Sequence, residues 1–493
     1  VFEACGIRVP CHFPGIDFNT EEYEKIYENR FLESISNPLS TFSIDVDVAS
    51  YGNARRFIMR NQLPPKDAVR IEEFINYFNY DYAKPEGDMP FSINIEYAPC
   101  PWNEKHQLVH IGLQGEELDE DERKPSNLVF LIDVSGSMRP SNKLPLLRKA
   151  FRLLVDQLQD EDRVSIVVYA GAAGLVLPST PGSKKERIKN AIGRLEAGGS
   201  TAGHAGIMLA YKVAKQNYIK GGNNRVILAT DGDFNVGVSS TSELIDLIEE
   251  KREDGIFLTV LGFGMGNYKD HRLEQLADKG NGNHAYIDNI LEAKKVLVDD
   301  VMATLYTIAK DVKIQVEFNP ARVDSYRLVG YENRLLAKED FDDDTKDAGE
   351  IGAGHTVTAL YEIVPATEGD KPAGSYDLKY QETKIKDDAA LTDEILTVNI
   401  RYKEPDGDTS KLITTVLAGE PAEQEETSND FKFSAAVAIF AMILRESEFM
   451  GDASLEGVTE LGKSGMGDDP YNYRAEFLQL VERVKLISDL ASR

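Results

Sequence analysis

The period of apolar and polar positions changes along the chain. Between residues 126 and 310, near-continuous apolar runs alternate with helical stripes. The runs are Asn127–Val134, Arg163–Tyr169, Arg225–Thr230, Ile256–Phe263 and His284–Ile287. A strand that is apolar on both faces is one covered by helices on both sides, as in a parallel sheet. Helices are predicted between the runs, two with capping-box starts. Ser183 precedes Glu186, and Ser240 precedes Glu243 ahead of Leu244, Ile245, Leu247 and Ile248. Gly174–Leu177 predicts a short antiparallel edge strand. The whole reads as a doubly wound α/β domain with a mostly parallel sheet. Ligands of such sheets bind beyond the carboxyl ends of the strands.

The flanking stretches follow other periods. Residues 1–84 predict a mostly helical region with one early strand, Thr41–Val46. Glu21–Ser34 carries a helical stripe of Tyr23, Ile26, Tyr27, Phe31 and Leu32. Ala49–Asn61 and Ile71–Tyr80 repeat it on either side of Pro64-Pro65. Residues 85–125 alternate apolar with polar, as half-buried strands do, at Phe91–Tyr97 and Leu108–Leu113. An acidic loop, Glu116–Glu122, follows. Residues 311–420 return to alternation at Val312–Phe318, Val357–Ile363 and Ile395–Tyr402, with a turn at Glu404–Asp408. The strands of either segment alone are too few for a stable sandwich. Segments 85–125 and 311–420 are therefore expected to form one β-sandwich-like domain, with 126–310 inserted in it. Residues 421–493 predict a helical C-terminal region: Asp430–Glu446 and Tyr473–Ser488, joined by the Gly-rich linker Gly462–Asp469.

Composition narrows the function. The chain has 493 residues, 42% of them hydrophobic and 28% charged, as in a globular protein. Its net charge of −28 argues against nucleic acid and anionic lipid as partners and favours divalent cations nearby. No run approaches a membrane span; Phe433–Leu444 is short and reads as a buried helix. Insertion of the chain itself into a membrane is not expected. The sequence opens on Val1, so any leader or anchor of an exported protein would precede it. Of the cysteines Cys5, Cys11 and Cys100, the first two are spaced to pair in an oxidising compartment. No Cys/His spacing suggests zinc.

The candidate chemistry sits at strand ends. Asn127–Val134 runs into Asp133-Val-Ser135-Gly-Ser137, and Arg225–Thr230 runs into Thr230-Asp231-Gly232-Asp233. Gly198-Gly199-Ser200-Thr201 lies between them in sequence. If the two strands are parallel neighbours, three oxygen-rich loops converge. Oxygen-only ligands suit a hard cation such as Mg²⁺. Weaker candidates are His204 as a base, Asp233 as a supporting carboxylate, Asp45 and Asp47 on one strand, and the acidic loop Asp340–Asp347. Gly262–Gly266 lacks the spacing and Lys of a phosphate loop, and no GxSxG or HExxH occurs.

Asp133-x-Ser135-x-Ser137, Thr201 in GGSTAG and Asp231 in TDGD resemble the metal-ion-dependent adhesion site of von Willebrand factor type A (VWA) domains. Thr41–Asp47, Gln62–Asp67, Arg70–Tyr77, Phe433-Ser-Ala-Ala-Val-Ala and Tyr473–Phe477 resemble the flanking domains of bacterial YfbK-type proteins. The resemblance implies a VWA, Rossmann-like fold. It also implies a divalent cation, Mg²⁺ with Mn²⁺ or Ca²⁺ as alternatives, held by Ser135, Ser137 and Thr201 directly and by Asp133 and Asp231 largely through water. A partner protein's Asp or Glu would complete the shell. Members are typically exported to the cell envelope, periplasmic or surface-exposed, often as lipoproteins, though no lipobox precedes Cys5. The expected function is metal-dependent, adhesion-type protein binding without enzymatic activity. The alternatives are a metal-assisted hydrolase and a subunit working with an intracellular ATPase.

Overall fold

The computed structural model describes residues 21–44, 47–119, 123–199, 203–232, 241–265, 268–367, 379–380, 384–405 and 407–491. Its central sheet runs in the order His284–Ile287, Phe257–Phe263, Asn223–Thr230, Ser126–Asp133, Arg163–Tyr169, Ala173–Pro181. The first five strands are mutually parallel, and the edge strand Ala173–Pro181 is antiparallel. Alternate side chains of Ser126–Asp133 enter two different cores. Leu128, Phe130 and Ile132 face one, Val129 and Leu131 the other. That double burial is why the run is apolar throughout. Helix Leu144–Asp156 covers one face with Leu147, Ala150, Phe151, Leu154 and Val155, and Phe151 stacks on Phe130 at 4.4 Å between ring centroids. Helix Gly203–Gln216 covers the other face. It approaches closely because Gly206 lacks a side chain: a Cβ there would lie 2.8 Å from Cβ of Tyr169.

Two further sheets form a sandwich from segments on both sides of the α/β unit. One has the order Leu32–Glu33, Val323–Val329, Thr356–Pro365, Asn103–Gly115, Phe91–Cys100. Its pairing of Thr356–Pro365 with Asn103–Gly115 joins chain from before and after the α/β unit. The other sheet has the order Gly349–Gly352, Thr307–Phe318, Glu394–Lys403, Lys411–Ala418, and Leu39–Ser43 adds to Thr307–Phe318. Phe318 stacks on Tyr326 at 3.9 Å across the interior. The fold is thus an α/β unit inserted in a β sandwich, with helices towards both termini.

Local signals were overridden in several places. The helix expected over Glu21–Ser34 is absent; only the short strand Leu32–Glu33 forms there. The segment spends its hydrogen bonds on other elements instead. The Glu22 amide donates to the Tyr268 carbonyl, Ile26 to Asp67, and the Asn29 amide group to the carbonyls of Leu328 and Gly330. The early strand lies at Leu39–Ser43; Asp45 and Val46 fall outside the described residues. The N-terminal helices are Ala49–Ile58 and Ile71–Ile75. Ser183 does not cap its helix. It sits inside a 3-10 turn, Gly182–Lys184, and the helix starts at Lys185 without a side-chain cap. Ser240 lies outside the described residues. The expected linker Gly462–Asp469 is partly helix, since Leu455–Ser464 runs through Gly462, against which Leu478 of the neighbouring helix packs tightly.

Helix Asn429–Arg445 is buried nearly all round and capped by Ser428, whose hydroxyl accepts the Phe431 amide. Helix Tyr473–Ala491 packs beside it. One buried arginine links three regions. Arg55, 2% exposed, pairs with Asp288 at 2.5 Å and Glu292 at 2.6 Å in the α/β unit, and with Glu476 of the C-terminal helix at 3.3 Å. Among the described residues no helix is long and apolar enough to cross a membrane.

Candidate metal centre

The parallel register pairs Ile132 with Ala229. Asp133 and Thr230-Asp231 therefore leave the sheet side by side at its carboxyl edge. A carboxylate at this point turns the chain. Asp133 Oδ1 accepts the Ser135 amide at 2.8 Å, and a 3-10 turn, Gly136–Met138, follows. The Ser135 and Ser137 hydroxyls are hydrogen-bonded to each other at 2.9 Å. Backbone hydrogen bonds tie the second loop to this turn. The Gly136 amide donates to the Gly199 carbonyl at 3.1 Å, and the Gly198 amide to the Val134 carbonyl at 2.7 Å. The third loop joins through Thr230, whose hydroxyl donates to Asp133 Oδ2 at 3.4 Å and accepts the Gly232 amide at 3.3 Å.

Thus Asp133, Ser135, Ser137 and Asp231 share one end of the sheet with Gly198 and Gly199. Thr201 lies outside the described residues, as do Asp233, Asp45 and the Cys5 and Cys11 pair. Both aspartates are fully buried, whereas Ser137 is exposed at the rim. Burial, with the charge of Asp231 adding to it, pushes the Asp133 carboxyl up to about 6 against the pull of its Ser135 hydrogen bonds. Two buried carboxylates that repel each other call for positive charge.

This donor set fits a hard divalent cation: carboxylate and hydroxyl oxygens, with no sulfur or imidazole. Among the described residues no group of three or more His, Cys, Asp or Glu forms a metal-holding cluster. Asp133, Ser135, Ser137 and Asp231 are the described residues that would hold a cation. Bound there, it would supply an electrophilic position for an anionic ligand.

The weaker candidates fall out differently. Asp47 is taken up structurally, accepting the His284 amide at 2.7 Å and Arg334 at 3.2 Å. The acidic loop is closed by cations: Lys313 donates to the carbonyls of Asp340 and Asp343, and Arg401 and Lys403 hold Asp342, Asp344 and Asp311. His204 occupies the first turn of Gly203–Gln216, half-buried, with its Nδ1 lacking a partner among the described residues. Cys100 is buried and unpaired to another cysteine. A cavity of about 790 Å³ opens between the sandwich and the opposite ends of the strands, near Asn223, Phe257, Tyr306 and Glu350; Asp347 of the acidic loop lines it, and Asp133, Ser135, Ser137 and Asp231 do not.

One site residue escaped the sequence reading. Lys143 Nζ donates to Asp231 Oδ2 at 2.8 Å, with the lysine side chain only 7% exposed. The signal was present: Lys143 opens an apolar helix, at the end where a cation is disfavoured by the helix dipole. Such a lysine needs an anion.

Comparison with known proteins adds the following. Residues 127–299 match the von Willebrand factor type A domain family, 17–110 a family described as von Willebrand factor, and 303–487 the YfbK C-terminal family. The chain is 41% identical over 482 residues to the protein YfbK of Escherichia coli (strain K12), covering 96% of this chain and 82% of that one. It is 29% identical over 199 residues to the protein sll0103 of Synechocystis, covering 40% and 45% of the two chains. It is 27% identical over 177 residues to human inter-alpha-trypsin inhibitor heavy chain H3, covering 34% and 19%. Among solved structures, a von Willebrand factor type A protein from Catenulispora acidiphila aligns with a TM-score of 0.42 at 16% identity, over 78% of this chain and 90% of that one.

Proposed function

The chain belongs to the YfbK family of VWA-domain proteins, and from that premise we propose that it binds a partner protein in the cell envelope through a divalent cation at the Asp133 turn. VWA-domain proteins commonly mediate protein interactions. The observation that carries the finer reading is the joining of the Asp133 turn to both other loops, by Gly136 to Gly199 and by Thr230 to Asp133. Neutral hydroxyls at the rim would leave a cation electron-poor, and a partner's Asp or Glu is the ligand of matching charge. Mg²⁺ is the expected ion, with Mn²⁺ or Ca²⁺ able to replace it. The envelope location rests on the family resemblance.

The test is capture from an envelope extract with Mg²⁺ present and again with excess chelator. A partner should be retained in the first, lost in the second and recovered on adding Mg²⁺ or Mn²⁺. Thr201→Ala should weaken retention by on the order of 2–4 kcal/mol, as for a broken desolvated charge contact. Retention that survives chelation overturns the reading.

A second reading, metal-assisted hydrolysis, draws on His204, whose Nδ1 has no partner among the described residues. It predicts metal-dependent turnover of an ester or peptide that falls on His204→Ala. Binding without turnover is the outcome expected here.

A further inference from the structure

We propose that Lys143 is a tethered counter-cation of the metal centre, which holds Asp231 in place without metal and sets how tightly a divalent cation can bind. The proposal rests on the metal-site reading above and deepens it.

Three observations place the lysine. Its ammonium lies 2.8 Å from Asp231 Oδ2, and the two side chains are 7% and 0% exposed. Its backbone is fixed at the start of helix Leu144–Asp156. The Lys143 amide donates to the Pro140 carbonyl at 3.0 Å, and its carbonyl accepts the Leu147 amide at 2.9 Å. Its aliphatic stem is clamped by the loop after Phe257–Phe263. Gly264 there has φ +80°, and a Cβ on it would lie 2.2 Å from Cε and 2.5 Å from Cγ of the lysine. Only glycine both adopts that backbone readily and leaves room for the stem. A fourth loop therefore reaches the centre, and what it positions is a cation.

The chemistry follows from charge. Of these three buried side chains, Asp133 and Asp231 carry negative charge and Lys143 positive. A divalent cation would bring their sum to plus one, whereas without the lysine the sum would be zero. Lys143 thus opposes metal entry and leaves the loaded centre positive. Both effects favour an anionic ligand as the final member of the assembly. Like charges a few ångströms apart in a partly desolvated site interact strongly.

The experiment titrates Mn²⁺ into the full chain by calorimetry, with Lys143→Met and Lys143→Arg beside the wild type. Circular dichroism checks each fold, and thermal melts are run in chelator. Lys143→Met should bind Mn²⁺ about tenfold or more tightly than wild type, while its metal-free melting temperature falls. Lys143→Arg, which keeps the charge, should stay near wild type in affinity. Lys143→Gln repeats the comparison should the methionine variant not fold. Folded, uncharged variants with unchanged or weaker Mn²⁺ affinity overturn the role of Lys143 and leave the metal site standing. No Mn²⁺ uptake by wild type or variants overturns the metal site itself, and this proposal with it.

Discussion

The amide of Gly136 donates to the carbonyl of Gly199 at 3.1 Å, a main-chain bond that fastens the turn carrying Ser135 and Ser137 to the neighbouring loop. Substitutions at Ser135 and Ser137 should therefore leave that loop where it is.

Asp133→Asn and Asp231→Asn are expected to fold with some loss of stability, because the amide keeps the shape of each buried side chain but only one of its two acceptor oxygens, and at Asp231 it removes the charge that faces Lys143. Each should weaken Mg²⁺ or Mn²⁺ binding on the order of 10- to 100-fold, the range seen when groups supporting a metal are lost. Calorimetric titration measures it. Wild-type affinity in both variants would rule the assignment out.

Arg55→Met should destabilise the whole protein by about 3–5 kcal/mol, the cost of leaving buried carboxylates without their partner. Asp288 and Glu292 sit under Arg55 at 2.5 and 2.6 Å, with side chains 8% and 1% exposed. Urea unfolding gives the number. A loss below about 1 kcal/mol, typical of exposed pairs, would show the network to be dispensable.

The isolated segment 126–310 should fold on its own. Its contacts to the rest of the chain include Asp270, Glu274, Asp288 and Glu292, which face Arg70 and Arg55. Cutting the arginines away exposes these carboxylates to water, which solvates them without penalty. A cooperative melt with α/β circular dichroism is expected; an aggregated or molten fragment would count against it.

His355 gives a pH dependence. Burial, with a smaller contribution from Lys295, holds its imidazole down at about 4, against about 6.5 when unfolded. The unfolded chain therefore takes up the proton first. Stability from this group is complete above about pH 6.5, falls as pH drops from there to about 4, and then levels. Urea midpoints at pH 7, 5.5 and 4.5 should fall more steeply for wild type than for His355→Gln. Parallel slopes would assign the acid sensitivity elsewhere.

The sequence by itself determined the α/β unit and the closeness of three of the candidate donors. Apolar runs such as Asn127–Val134 can be buried only on both faces, and Asp133, Ser135 and Ser137 lie on one turn whatever surrounds them, because i and i+2 of a tight turn are neighbours. It also determined helix Asn429–Arg445, too apolar for any exposed position. Tertiary structure decided the rest. Glu21–Ser34 has a helical stripe, yet its amides bond to Tyr268 and Asp67, since partners from distant loops and turns outcompete a short isolated helix. Ser183 has the letters of a cap, yet Pro181 and Gly182 set a 3-10 turn that moves the helix start past it. Lys143 is 88 residues from Asp231 in sequence, and only the parallel pairing of two strands and the clamp at Gly264 bring them to 2.8 Å. Local pattern fixes what a short stretch can bury; which charge meets which is a property of the packed whole.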